Sequence, residues 1–168
     1  MKLHEFSPHT LAGSFTPDLM ASKQWLIKEL GKLAPHADRI YILGSWYGNL
    51  SLLIADSAIS YDEIINVDKD PRAIERSNHM TRKYDNIHSI VQDANELDYD
   101  NPSIIINTSC NDMPNLGWFD RIPNGTLIVA QTRGKPWDFE LSRVLYRGKK
   151  SLVDPEGEYT RQMLIGLK

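Results

Sequence analysis

The chain has 168 residues, 41% of them hydrophobic and 24% charged, and a formal net charge of −3. These proportions are ordinary for a folded globular protein, and the charge gives no support to wrapping nucleic acid or coating anionic lipid. No run approaches the roughly 20 apolar residues of a membrane helix, so no membrane contact is expected.

The length fits one domain spanning 1–168, able to bury roughly 70% of the surface that the unfolded chain exposes. A single cysteine, Cys110, rules out an intrachain disulfide and makes a reducing cytoplasm the simple location. The N-terminus lacks the apolar core of a signal peptide. Five scattered histidines form no pair at ligand spacing, so no metal site is expected. Charge is uneven: residues 61–132 carry 6 Lys/Arg against 12 Asp/Glu, and residues 133–168 carry 8 against 5. The basic stretch 133–150 leaves room for a phosphate or nucleic-acid contact, though the net charge does not indicate one.

In chain order, residues 1–15 read as irregular, with Phe6 and Phe15 expected to pack on the core. Thr16-Pro17-Asp18 starts a helix with a capping hydroxyl and a proline at its first position. Leu19, Leu26, Leu30 and Leu33 form its apolar face, with Trp25 and Ile27 beside it, and Pro35 ends it. Segment 1–35 is therefore expected to pack on or cap the core.

Ile40–Leu43 is an apolar run stopped by Gly44, as in a buried strand feeding a tight turn. Gly44 and Gly48 bracket that turn, and Asn49–Ala58 has helical composition. A second strand, Glu63–Val67, delivers Asp68 twenty-four residues after Gly44. Strand, glycine turn, helix, strand and terminal carboxylate make a nucleoside site: backbone N–H groups approach the ligand and the carboxylate accepts from ribose hydroxyls. Asp68 either plays that part or stands as a solvated strand end.

Asp70-Pro71 opens a helix running to about Lys83. His88–Val91 reads as a third strand closed by Gln92-Asp93-Ala94, and Ser103–Ile106 as a fourth opening into Asn107-Thr108-Ser109-Cys110. A short helix with Trp118 and Phe119 leads to the turn Pro123-Asn124-Gly125 and a fifth strand, Thr126–Ala130. Val144–Leu152 and Tyr159–Gly166, separated by Asp154-Pro155-Glu156-Gly157, form an antiparallel pair. The pattern predicts a Rossmann-like α/β fold: a mostly parallel seven-stranded sheet, helices on both faces, and an antiparallel C-terminal pair. Gly44, Asp68, Asp93 and Asn107 all follow strand ends and should line one crevice.

From residue 39 onward the sequence resembles the class I S-adenosylmethionine-dependent methyltransferases. Ile40-Tyr-Ile-Leu-Gly-Ser-Trp-Tyr-Gly48 is similar to their first motif, and Ile65-Asn-Val-Asp-Lys-Asp-Pro71 to their second. The resemblance implies S-adenosylmethionine as cofactor, held by Gly44, Ser45, Trp46, Tyr47, Gly48, Asp68 and Lys69, with Asp93 and Ala94 at the adenine. It places Asn107 at the catalytic motif, where its amide would orient the acceptor. An oxygen-accepting Asn and a merely turn-forming Asn are both open at that position.

The first motif departs from the family pattern at two positions, where Ile42 replaces an acid and Trp46 the central glycine; after the fourth strand Asn107 is kept, but Thr108, Ser109 and Cys110 replace the two prolines and aromatic of amino-methylating members, which disfavours a nucleobase amino group as substrate. Trp46 either lines the pocket or packs against the N-terminal helix. Cys110 reads as a small buried hydrophobe, with a nucleophile as the alternative. The acceptor is unidentified. Alongside methyl transfer stand another use of the same sulfonium cofactor and a catalytically degenerate binding protein. A dinucleotide oxidoreductase is disfavoured because no third glycine follows Gly48.

Overall fold

The computed structural model describes residues 15–168. The expectations placed on Phe6 and on the capping role of 1–14 lie outside the described residues; Phe15 is exposed. Helix α1 spans Pro17–Leu33 and starts at Thr16, whose hydroxyl makes no capping bond. Its buried stripe is Asp18, Ser22, Leu26 and Leu30, so the face turned inward is polar in its first half and apolar in its second. Leu33, expected on that face, is 41% exposed.

Strands β1 (His36–Leu43), β2 (Ser60–Asp68), β3 (Ile87–Val91), β4 (Ile104–Asn107), β5 (Leu127–Arg133), β6 (Arg143–Asp154) and β7 (Gly157–Leu167) form one sheet in the order β3-β2-β1-β4-β5-β7-β6. The first five pair in parallel; β7 lies antiparallel between β5 and β6. Each parallel strand therefore ends at the same edge. Order reverses between β1 and β4, the position where a crevice opens in such sheets.

Alternation along β1 sorts the core into two layers. Ile40 and Ile42 join Leu26, Leu30, Leu50, Ile54, Ile64 and Ile106 on one face. That face is covered by α1, by α2 (Asn49–Ala55) and by α3 (Pro71–Thr81). Tyr41 and Leu43 join Ile105, Trp118, Phe119 and Ile128 on the other. The second face carries little helix: the four-residue α4 (Gly117–Asp120), 3-10 turns at Ala94–Glu96 and Cys110–Asp112, and loop residues such as Phe139. Phe139 stacks on Phe119 at 4.4 Å between ring centroids and meets Trp118 edge-on at 5.4 Å. Aromatic contacts replace helix there, each contributing about 0.5–1.5 kcal/mol beyond burial.

Candidate functional site

The turn after β1 is a run of left-handed backbone. Gly44, Trp46 and Gly48 have φ of 59°, 54° and 76°. Trp46 thus keeps the conformation of the glycine it replaces, a geometry that costs an L-residue about 1–2 kcal/mol. The turn is held from two sides. Ser45 donates its N–H to Val67 O, and Trp46 donates its N–H to Asp68 Oδ2 at 3.0 Å. Beneath it, Ser51 Oγ donates to Gly48 O, and the buried Asn66 amide joins Ser51 and Ser77. A Cβ on Gly48 would come within 2.5 Å of Ser77 Oγ, so space as well as backbone demands glycine.

Asp68 stands at the end of β2, partly exposed, and its second oxygen accepts from Asp70 N–H at 3.0 Å. Two of its roughly four acceptor sites are used by the backbone, leaving two for a ligand. Lys69 beside it is exposed. Asp70 caps α3 by accepting from Arg72 N–H, which holds its carboxyl below the usual range. Asp93 caps the next turn by accepting from Asn95 N–H, and Ala94 is buried behind it. The structure brings Gly44–Gly48 and Asp68 together by direct bonds, and the β2–β3 pairing sets Asp93 just beyond on the same edge.

Asn107 ends β4 and is fully buried. Its Oδ1 accepts from Ser109 N–H at 2.9 Å and its Nδ2 lies 3.3 Å from Met113 Sδ. The turn-forming geometry is the one observed. The loop it shapes closes over Gly44: Ser109 Oγ donates to Gly44 O at 3.4 Å, and a Cβ on Gly44 would meet Ser109 and Met113. Cys110 follows with its thiol bonded to Asn107 O, and burial pushes that thiol up to about 12. A thiol so rarely ionised is a poor nucleophile.

Sequence reasoning missed the polar half of α1 and what it meets. Ser22 exchanges bonds with the buried Gln131 of β5, donating to Oε1 at 3.0 Å and accepting from Nε2 at its carbonyl. Tyr159 of β7 donates to Asp18 at 2.7 Å, and Arg133 lies 3.9 Å above its ring while pairing with Asp154. Arg161 of β7 donates through Nη2 to Thr108 O at 2.9 Å and, more weakly, to Gln131 Oε1 at 3.5 Å. The available signal was the i, i+4, i+8 spacing of Asp18, Ser22 and Leu26, a stripe whose polar members need partners if buried.

Among the described residues, cavities open on both halves of this edge. One, of about 720 Å³, lies between Trp46, Tyr47 and the outer side of α3 at Arg72, Arg76 and His79. The Trp46 and Tyr47 rings stack at 5.4 Å. The other, about 220 Å³, sits between the loops after β4 and β5, against Met113, Trp118, Trp137 and Phe139. Within 133–150, Arg143, Arg147, Lys149 and Lys150 are exposed along β6, whereas Arg133 is neutralised by Asp154. Among the described residues, a cluster with metal-ligand geometry is His36, Asp38 and Asp62, exposed at the opposite end of the sheet. No helix among them is long and apolar enough to cross a membrane.

The nucleoside half of an S-adenosylmethionine site fits these residues. The turn carries a buried Ser45 Oγ with no hydrogen-bond partner among the described residues, and Asp68 retains acceptor capacity. No family model matches the chain, and no curated protein is similar to it in sequence. Solved structures are similar in shape. The N-methyltransferase NodS from Bradyrhizobium japonicum, in complex with S-adenosyl-L-homocysteine, superposes with a TM-score of 0.74 at 11% identity, covering 97% of this chain and 95% of that one. Geranyl diphosphate methyltransferase in complex with its cofactor gives 0.65 at 14%, covering 86% and 83%. An RNA methyltransferase from Salinibacter ruber with S-adenosyl-L-homocysteine gives 0.56 at 18%, covering 85% and 92%. Strand order, the antiparallel closing strand and these superpositions agree: the chain has the class I S-adenosylmethionine-dependent methyltransferase fold.

Proposed function

We propose that the chain binds S-adenosylmethionine across the Gly44–Gly48 turn and Asp68 and transfers its methyl group to an acceptor at the ends of β4 and β5. The observation that carries this reading is the bond from Trp46 N–H to Asp68, which sets a left-handed turn and a carboxylate with spare acceptor sites side by side. Asp68 accepts from the ribose hydroxyls, while Asp93 and Ala94 border the adenine. Gly44, Ser45, Tyr47 and Gly48 form the floor, and Lys69 flanks the rim. Asn107 acts through the turn it builds, placing Ser109 and Met113 beside Gly44.

The sulfonium supplies an already activated methyl group. Bound there, it would offer that methyl to the acceptor's lone pair, the carbon–sulfur bond giving way with its electrons to sulfur and the acceptor's proton going to solvent. The residues therefore contribute alignment and exclusion of water more than covalent help. Cys110, with its raised pKa, takes no part. A lone cysteine kept as a thiol suits a reducing cytoplasm.

A second reading has its own observation. Ser109 and Met113 cover Gly44 where the methionine end of the cofactor would pass, which favours a protein that binds the nucleoside without transfer. Calorimetry with S-adenosylmethionine, S-adenosylhomocysteine and NAD, followed by label transfer from methyl-labelled cofactor into cell-extract fractions, separates the two. Binding of the sulfur compounds with a labelled product is the expected result. Binding without product favours the second reading, and tight NAD binding alone overturns both.

A further inference from the structure

The loops after β4 and β5 that enclose the smaller cavity are tied to each other. Asn111 of the first donates through its side chain to Arg133 O at 3.2 Å and accepts from Arg133 N–H at 2.7 Å. In the second, the Thr132 hydroxyl donates to Lys135 O at 2.6 Å. Trp118, Trp137 and Phe139 line the space between them, and Trp118 meets Phe139 edge-on. Met113 lines it as well and reaches the glycine turn, where a Cβ on Gly44 would lie 3.2 Å from its Cε. A single side chain thus spans from this cavity to the turn.

Most polar side chains around the cavity are already satisfied. Asn111 and Thr132 spend their groups on backbone, and the Cys110 thiol donates to Asn107 O. Lys135 and Asp138 are exposed and bring one charge of each sign, so no net charge favours an ionic occupant. The indole N–H of Trp137 is different: it is buried and has no hydrogen-bond partner among the described residues. A shielded donor left unpaired is costly, and a ligand with an acceptor atom recovers the bond. Indole and phenyl walls favour a flat ring over a saturated one. At about 220 Å³ the cavity falls below the roughly 300–1,000 Å³ of sites for drug-sized molecules, so its occupant is compact.

We propose that the methyl acceptor is a compact, uncharged aromatic molecule seated in this cavity. A hydrogen-bond acceptor on its ring takes the Trp137 Nε1–H, and a hydroxyl or amino substituent points toward Met113. That substituent supplies the lone pair that bonds to the methyl carbon and releases its proton to solvent. The acceptor role rests on the function proposed above. The binding of the ring does not.

The test uses the whole protein and probes of matching shape. They are 6-hydroxyquinoline; 2-naphthol, which lacks the ring nitrogen; decahydro-2-naphthol, which is not flat; and 6-hydroxy-2-naphthoate, which adds a charge. Affinities are read by calorimetry with and without S-adenosylhomocysteine. 6-Hydroxyquinoline should bind best and each of the others about tenfold or more weakly, the scale of one hydrogen bond or one ring contact. Trp137→Phe keeps a ring and loses the N–H, so it should abolish the preference for 6-hydroxyquinoline over 2-naphthol. The position of the ring is read from nuclear Overhauser contacts to methionine methyl groups, the Met113 signal being assigned by its loss in Met113→Leu. Contact with Met113 is the expected result.

No measurable binding of 6-hydroxyquinoline overturns the proposal, as does equal affinity for the flat and saturated rings or tighter binding of the naphthoate. A preference for 6-hydroxyquinoline that survives Trp137→Phe, or a bound ring without contact to Met113, is equally fatal. Should S-adenosylhomocysteine fail to bind, the proposed function falls while the ring affinities measured without it stay readable.

Discussion

On the β1–β2–β3 half of the carboxyl edge, the Gly44–Gly48 turn and Asp68 come from 25 consecutive residues. On the β4–β5–β7 half, the interacting groups come from far apart: Ser22 and Gln131 are separated by 109 positions and Thr108 and Arg161 by 53. The first half uses backbone conformation and capping bonds between near neighbours. The second uses buried side chains of α1 and β7 that acquire meaning only after the sheet has closed. A crevice can therefore have one half written as a motif and another written as packing, and only the first shows in a short stretch of sequence.

The largest expected effect attacks the motif half. Gly48→Ala forces an alanine into φ of 76° and against Ser77. Together these cost about 2–5 kcal/mol, from left-handed strain and overpacking. Thermal unfolding should fall by roughly 5–15 °C. An unchanged Tm would mean that the turn is not held from beneath as described.

Next is Asp68→Asn, which keeps an acceptor for Trp46 N–H but removes the charge. Losing a charged acceptor to ribose costs about 1.5–3 kcal/mol, so S-adenosylhomocysteine affinity should drop on the order of tenfold to a hundredfold by calorimetry. Equal affinity in the folded variant would move the nucleoside away from this half.

Ser22→Ala probes the packing half. It removes one buried hydrogen bond to Gln131, worth about 1 kcal/mol, so a fall of only about 2–4 °C is expected. The same variant should leave S-adenosylhomocysteine affinity within about twofold. A large loss of cofactor affinity would erase the distinction between the halves.

The smallest effect at neutral pH belongs to Cys110→Ala, and it grows with alkalinity. The thiol titrates near about 8.5 when unfolded and at about 12 in the fold. Below pH 8.5 both states keep the proton and the thiol contributes no pH dependence. Above it the unfolded state loses the proton first, so wild-type stability falls progressively toward pH 12. Urea midpoints of wild type and Cys110→Ala should therefore diverge between pH 8 and 10, with the wild type losing more. Parallel pH curves would show the thiol to be open to solvent.

Much of the fold was legible because its signals are local. Apolar runs at Ile40–Leu43 and Ser103–Ile106 mark central strands buried on both faces, and Pro155-Glu156-Gly157 marks the closing hairpin. Local signals also misled where tertiary contacts decide. Thr16 precedes α1 without capping it, and α2 stops at Ala55 instead of Ala58. Within the site, the turn and Asp68 could be read from glycine spacing, and Asn107 was placed correctly at a strand end. That its amide would turn back onto Ser109 depended on burial, which the sequence does not display. Arg161 carried no motif, since a lone basic residue on a strand is ordinarily solvated.

The central position of β1 has a kinetic consequence. Its partners are β2, whose register begins His36↔Ser60, and β4, whose register begins Ile40↔Ile104. Both demand closure of long loops before any reward, whereas β6 and β7 pair across the tight turn at Asp154↔Gly157. Loop-closure entropy delays the distant pairings, while an isolated hairpin forms in about 1–10 μs. In pulse-labelled hydrogen exchange during refolding, amides of residues 143–167 should gain protection ahead of those in β1. The strand that carries the glycine turn would then be completed late, and the turn would settle against Asp68 only as the last parallel pairing locks.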